Sequence, residues 1–202
     1  MVIDILVEGP LDEAVARRLI RHTGHEAGTT FGKRGVSYLH QKIPGFNARA
    51  RYGHPILLLV DFMDTNLDCP PAVPSTWLPD RDQRLLLRVV VNEIESWLLA
   101  DHRGIAGFLG VSNTLVPTDP EHLADPKQTL VNLARRSRRR TVQALIPASG
   151  ITASVGRSYV DEMRTFVMDY WNVNDARQRA SSLDRCVLRL KELSSPDHVN
   201  MP

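Results

Sequence analysis

Cysteine is nearly missing from this chain. Cys69 and Cys186 are the only two in 202 residues and stand far apart. A disulfide framework and a cysteine-built zinc site are thereby excluded, and a reduced, cytoplasmic setting is the expectation. The seven histidines show no ligand spacing. No apolar run approaches the roughly 20 residues that a membrane-spanning helix needs. The N-terminus lacks the basic opening of a secretory signal, so neither a leader nor a membrane partner is expected. No Gly-x-Ser-x-Gly motif and no Cys/His pairing points to nucleophilic catalysis. Gly32-Lys33-Arg34-Gly35 lacks the remainder of a Walker pattern, so it is not read as an ATP site. There is no internal repeat. The formal net charge of +2 is too small to demand nucleic acid on its own.

What is present is a set of short apolar runs that each end in acid. Val2 to Val7 is nearly all apolar apart from Asp4, as suits a strand covered on both faces. It runs into Glu8-Gly9-Pro10-Leu11-Asp12-Glu13, and residues 11 to 22 carry a helical stripe of Leu11, Ala14, Val15 and Leu19. A short strand and glycine-rich turn are predicted over 26–35. A helix over 36–43 should stop before Pro44, and 45–53 should be loop. Ile56 to Val60 is the most hydrophobic run and reads as a buried strand ending at Asp61. A short helix is predicted over 72–78, a strand over 85–91 ending at Asn92-Glu93, and a helix over 95–101 with Trp97 in its core. After that point the pattern is helical, at 105–109, 127–136, 159–170 and 183–193. Strands interleaved with helices, then helices alone, predict an α/β core with a mainly parallel, Rossmann-like sheet and a helical C-terminal extension. The expected division is core 1–101, extension 102–195 and a frayed tail 196–202.

Glu8, Asp61 and Glu93 each follow a predicted strand, and Asp12, Asp64 and Glu95 follow them. Parallel strands bring their carboxyl ends to one edge, where ligands of open α/β sheets sit. Like charges about 4 Å apart repel by roughly 1 to 4 kcal/mol. A hard divalent cation, one or two ions of Mg²⁺ or Mn²⁺, removes that conflict and activates water against phosphate esters. Acids at strand ends also serve as helix caps, and Asp12 and Glu13 suit a first helical turn on dipole grounds alone. Among the cations, Arg135, Arg136, Arg138, Arg139 and Arg140 put five arginines in six residues. They form either a solvated helix end or a phosphate-contacting patch. Lys33 and Arg34 pose the same choice in their glycine turn.

These residues resemble the Toprim fold of topoisomerases, bacterial primases and the overcoming-lysogenization-defect (OLD) nucleases. Val7-Glu8-Gly9-Pro10-Leu11-Asp12-Glu13 is similar to the first Toprim motif. Leu57 to Asp64 is similar to the second, but as Asp-x-x-Asp in place of Asp-x-Asp. Glu93-Ile94-Glu95-Ser96-Trp97 and Asp125-Pro126-Lys127 look like elements of the Toprim-like family DUF4276. The resemblance spans residue 2 to about 193. It implies a metal-dependent nuclease cleaving DNA, with RNA left open, in prokaryotic phage defence beside an ABC- or SMC-type ATPase partner. Glu8 would be metal ligand or acid/base. Asp12, Asp61, Asp64, Glu93 and Glu95 would be further metal ligands, and Lys127 would neutralise charge on the scissile phosphate. The displaced Asp64 keeps open a non-catalytic module that binds nucleic acid or a partner protein. A phosphoacceptor receiver domain also needs acids after its first strand and an Asp ending a central one, but the helical second half argues against it.

Overall fold

The structure, a computed structural model, describes residues 1–148, 150 and 152–193. The expected frayed tail at 196–202 lies outside them. The elements in chain order are β1 (Val2–Val7), α1 (Pro10–His22), β2 (Glu26–Gly32), α2 (Val36–Arg51), β3 (Ile56–Asp61), α3 (Ala72–Trp77) and β4 (Leu85–Val90). Helices follow: α4 (Ile94–Ala100), α5 (His102–Leu109), α6 (Pro126–Arg135), α7 (Tyr159–Thr165), α8 (Val173–Ala176) and α9 (Ser181–Glu192). The described residues pack as two compact units, 1–90 with 182–193, and Val91–Ser181. Element type alone puts the division at 101/102. Packing puts it at 90/91 and returns α9 to the first unit, where Leu190 O lies 2.9 Å from His25 Nε2.

The first unit is α/β, with a four-stranded, all-parallel sheet in the order β2-β1-β3-β4. Ile3 to Val7 and Ile56 to Val60 are buried along their whole length, as central parallel strands require. The crossover through α1 runs to one side of β1 and that through α2 to the other. Right-handed crossovers then set the two helices on opposite faces. Accordingly, Leu39, Ile43 and Ala50 of α2 share a core cluster with Leu6, Leu58, Val60, Leu85 and Leu87, without any α1 residue.

Two local features differ from the sequence-based expectation. Helix α2 runs through Pro44 to Arg51, where a stop at 43 and a loop over 45–53 were expected. Proline removes one helical hydrogen bond at a cost of about 3 kcal/mol. The buried stripe Leu39, Ile43, Asn47 and Ala50 outweighs it, with Pro44 on the exposed side. Asp4, the one polar residue of β1, fills a break in the β1–β2 register. Pairing shifts between Ile3↔Ala27 and Ile5↔Thr30. In that gap Asp4 Oδ1 accepts the Thr29 N–H at 2.9 Å, and Oδ2 accepts Arg49 Nη2 of α2 at 2.7 Å. Gly28 makes the fit possible, because a β-carbon there would collide with Asp4 Oδ1.

Asp4→Ala is expected to cost about 1 to 3 kcal/mol in urea unfolding, because it removes the acceptor of the Thr29 N–H and one end of a charge pair with Arg49. A loss under about 0.5 kcal/mol would show that the bulge does not depend on this carboxylate.

Candidate functional site

In a sheet of order 2-1-3-4 the chain leaves β1 in one direction and returns on its other side, so the crevice between β1 and β3 opens at their carboxyl ends. Glu8 and Asp61 stand there. The pair Leu6↔Leu58 leaves Glu8 two residues further along its strand and Asp61 three. Glu8 is half-buried in the bend before α1, and Asp61 is the last residue of β3. One carboxylate oxygen of each, Glu8 Oε1 and Asp61 Oδ1, is sealed from water. Asp12 lies in the first turn of α1, with Oδ2 folded back toward Gly9. Asp64 is exposed, one 3₁₀ turn beyond Asp61.

The turn after β2 is pinned to this edge. Lys33 N–H donates to Val7 O at 2.8 Å and Gly35 N–H to Glu8 O at 3.3 Å. Gly32, at φ 94°, packs so closely that a β-carbon would strike the Val7 carbonyl. Lys33, a candidate phosphate contact, bonds Glu13 Oε2 at 3.0 Å, while Arg17 Nε bonds Glu13 Oε1 at 3.0 Å. Partial burial pushes the Glu13 carboxyl up. Hydrogen bonds from Lys33, Arg17 and Thr30 and the Lys33 charge outweigh that and hold it at about 2. Arg34 lies 5.4 Å from the Tyr38 ring centroid.

The second unit gathers another group. Glu93 precedes α4, and Lys127 occupies the first turn of α6, whose cap is Asp125. Lys127 Nζ donates to Glu93 Oε1 at 2.9 Å, and its backbone N–H donates to Glu93 Oε2 at 3.2 Å. Lys127 Nζ is also 3.9 Å from Glu95 Oε1. Glu95, 1% exposed, accepts the Tyr159 hydroxyl at 2.9 Å, and its Oε2 is buried without a hydrogen-bond partner. Burial raises the Glu95 carboxyl to about 7, aided by the Glu93 charge and opposed by Lys127 and the Tyr159 bond. The same burial, with Glu95, Glu93 and Asp125 nearby, pushes the Tyr159 hydroxyl well above its ordinary range. Trp97, as expected, is core: it is fully buried, and its carbonyl accepts Trp171 Nε1 at 3.3 Å.

The arginine cluster divides by role. Arg139 Nη1 is bound to the carbonyls of Gly107 at 2.7 Å and Phe108 at 3.0 Å, closing the end of α5. Arg135, Arg136, Arg138 and Arg140 are exposed, with Arg135 bonded to Asn132 at 3.0 Å. No helix among the described residues is long and apolar enough to cross a membrane.

Comparison returned nothing. No family model, curated protein or solved structure matches the chain. The site therefore rests on its own chemistry. Among the described residues no group of three or more His, Cys, Asp or Glu is gathered as metal ligands would be. Mg²⁺, however, keeps several waters and takes only one or two carboxylates besides substrate phosphate. Glu8 and Asp61, which stand at the ends of neighbouring strands and each keep one oxygen out of contact with water, are carboxylates of the kind such an ion would take.

Tyr159 was not singled out in the sequence, and no spacing marks a partner 64 residues from Glu95. Arg88 was also passed over, although a charge inside Leu85 to Val90 is a visible interruption of an apolar strand.

A carboxyl raised from 4.5 to about 7 stays protonated in the folded chain while the unfolded chain has already ionised. Stability is therefore expected to fall as pH rises from about 4.5 to 7, by about 3 kcal/mol in all, and to stay lower above that. Glu95→Gln should flatten this slope and unfold at higher urea than wild type at pH 8. Unchanged slopes would contradict the assignment.

Proposed function

We propose that the chain is a divalent-metal-dependent phosphodiester hydrolase of the Toprim type, acting on DNA or RNA in the cytoplasm. One observation carries the reading: Glu8 and Asp61 end the two strands that flank the switch point of a parallel sheet, each with a carboxylate oxygen turned inward. Glu8 and Asp61 would hold Mg²⁺ or Mn²⁺, with Asp12 one helical turn away. Such an ion supplies Lewis acidity and a water ionisable near neutral pH. The acidic turn, the Asp-ended strand and the Glu93-x-Glu95 and Asp125-Pro126-Lys127 segments support it through their resemblance to Toprim and OLD-type nucleases. By the same resemblance the setting is phage defence with an ABC- or SMC-type ATPase partner. Glu93, Glu95 and Lys127 keep the roles of later acidic pair and charge-neutralising lysine in this reading.

A second reading is favoured by the Glu93 contacts. Both of its oxygens are engaged by Lys127, and Asp64 faces solvent. A chain whose later acids are neutralised internally suits a non-catalytic module that binds nucleic acid or a partner protein.

A plasmid-nicking assay with Mn²⁺, run with and without a co-expressed ATPase from the same operon, separates the two. The hydrolase should nick DNA, and Glu8→Ala and Asp61→Ala should each lower the rate at least 100-fold while keeping the wild-type circular dichroism spectrum. Full activity in either variant sinks the assignment. Retardation of DNA without cleavage, weakening steeply with salt, supports the binding module instead.

A further inference from the structure

Strand β4 carries a charge where an apolar strand has no use for one. Arg88 interrupts Leu85-Leu86-Leu87-Arg88-Val89-Val90, and β4 is the last strand of the sheet. Two cavities lie along it and share Arg81, Leu87 and Arg88. The smaller, about 100 Å³, is also bounded by Gln83 and Arg189. The larger, about 350 Å³, extends to Pro70, Pro71, Pro74 and Arg185. All of these residues belong to the first unit.

Among the described residues no carboxylate forms an ion pair with Arg81 or Arg88. Arg88 Nε is sealed from water and has no hydrogen-bond partner. Arg189 Nη1 bonds Glu192 at 2.8 Å, and its Nη2 bonds Gln83 O at 3.1 Å. Burial, joined by repulsion from Arg88 and Arg189 at Arg81 and from Arg185 and Arg189 at Arg88, depresses both guanidinium groups; the Glu192 charge opposes this at Arg88, and a guanidinium remains charged at neutral pH. The neighbouring Cys186 thiol is pushed up to about 12 by burial, so it provides no counter-charge there. Positive charge thus converges on these cavities, and the Glu192 carboxylate that faces it is bonded to Arg189, leaving Arg81 and Arg88 without an ion pair among the described residues.

We propose that this pocket binds a terminal phosphate group, its oxygens held by Arg81, Arg88 and Arg189 in the smaller cavity and its organic body lying against the proline-lined wall of the larger. Guanidinium forks match phosphate oxygens two at a time. The smaller cavity has room for one such group but not for a backbone passing through. Two sources share this chemistry, a free nucleoside monophosphate and the phosphorylated end of a nucleic-acid strand. The inference does not rest on the hydrolase reading, because it uses neither Glu8 nor Asp61.

Calorimetric titration of the full chain in EDTA, at constant ionic strength, tests it with inorganic phosphate, a nucleoside monophosphate, and a short 5′-phosphorylated oligonucleotide beside its unphosphorylated twin. Phosphate should bind wild type, and the affinity should fall at least tenfold in Arg88→Met and in the exposed-site variant Arg81→Ala. Arg88→Lys should recover part of it, and Arg164→Ala, an exposed arginine of the second unit, should bind like wild type. Whether monophosphate or 5′-phosphorylated strand binds more tightly names the source, and either order supports the site. Phosphate binding no tighter than chloride, or wild-type affinity in both Arg88→Met and Arg81→Ala, overturns the proposal. So does an equal loss of binding in Arg164→Ala.

Discussion

The carboxylate of Asp4 sets the geometry on which the first unit depends. A parallel strand pair has a period of two, and a one-residue slip would turn every side chain of β2 to the wrong face. Here the slip is built in as a bulge between Ile3 and Ile5, and the N–H that it displaces, that of Thr29, is taken by Asp4. Beyond the bulge the register carries Gly32 against Val7, and the following turn docks on Val7 and Glu8. Arg49 reaches the same carboxylate from α2, so one buried charge ties together two strands and a helix. The position of the acidic turn is thus a consequence of a hydrogen bond four residues upstream of Glu8.

Much of this architecture was legible along the chain because burial writes itself into apolar periodicity. The runs at 2–7, 56–60 and 85–91 and the stripe of α1 are local signals, and each corresponds to an element of the sheet or its cover. Pro44 misled because its local penalty is visible, whereas the burial of Leu39, Ile43, Asn47 and Ala50 that overrides it is not. Asp4 stood out as a polar residue in a strand, but nothing local names Thr29 or Arg49 as its partners. The same holds at the candidate sites. The acids ending β1 and β3 were readable, since a strand end is a local event. The engagement of Glu93 by Lys127, 34 residues on, and of Glu95 by Tyr159 depends on tertiary packing.

The acids expected to act together fall into different electrostatic states. Glu13 is held ionised by Lys33 and Arg17. Glu93 is neutralised by Lys127, and Glu95 is sunk so deeply that burial pushes its proton affinity up. Glu93 and Glu95 are thus engaged within the second unit, whereas Glu8 and Asp61 owe their place at the edge between β1 and β3 to topology and not to a run of acidic letters.

It also separates charge within the first unit. Lys33 and Arg49, which lie beside the acids, are committed to Glu13 and Asp4. Positive charge without carboxylate partners collects instead along β4, at Arg81 and Arg88. Under the proposed function, the carboxylates at the ends of β1 and β3 would repel a phosphate ester unless a cation stood between them. Acid at strand ends calls for no arginine on β4, so Arg88, half-buried there without an ion pair among the described residues, is a separate charge requirement of the same sheet.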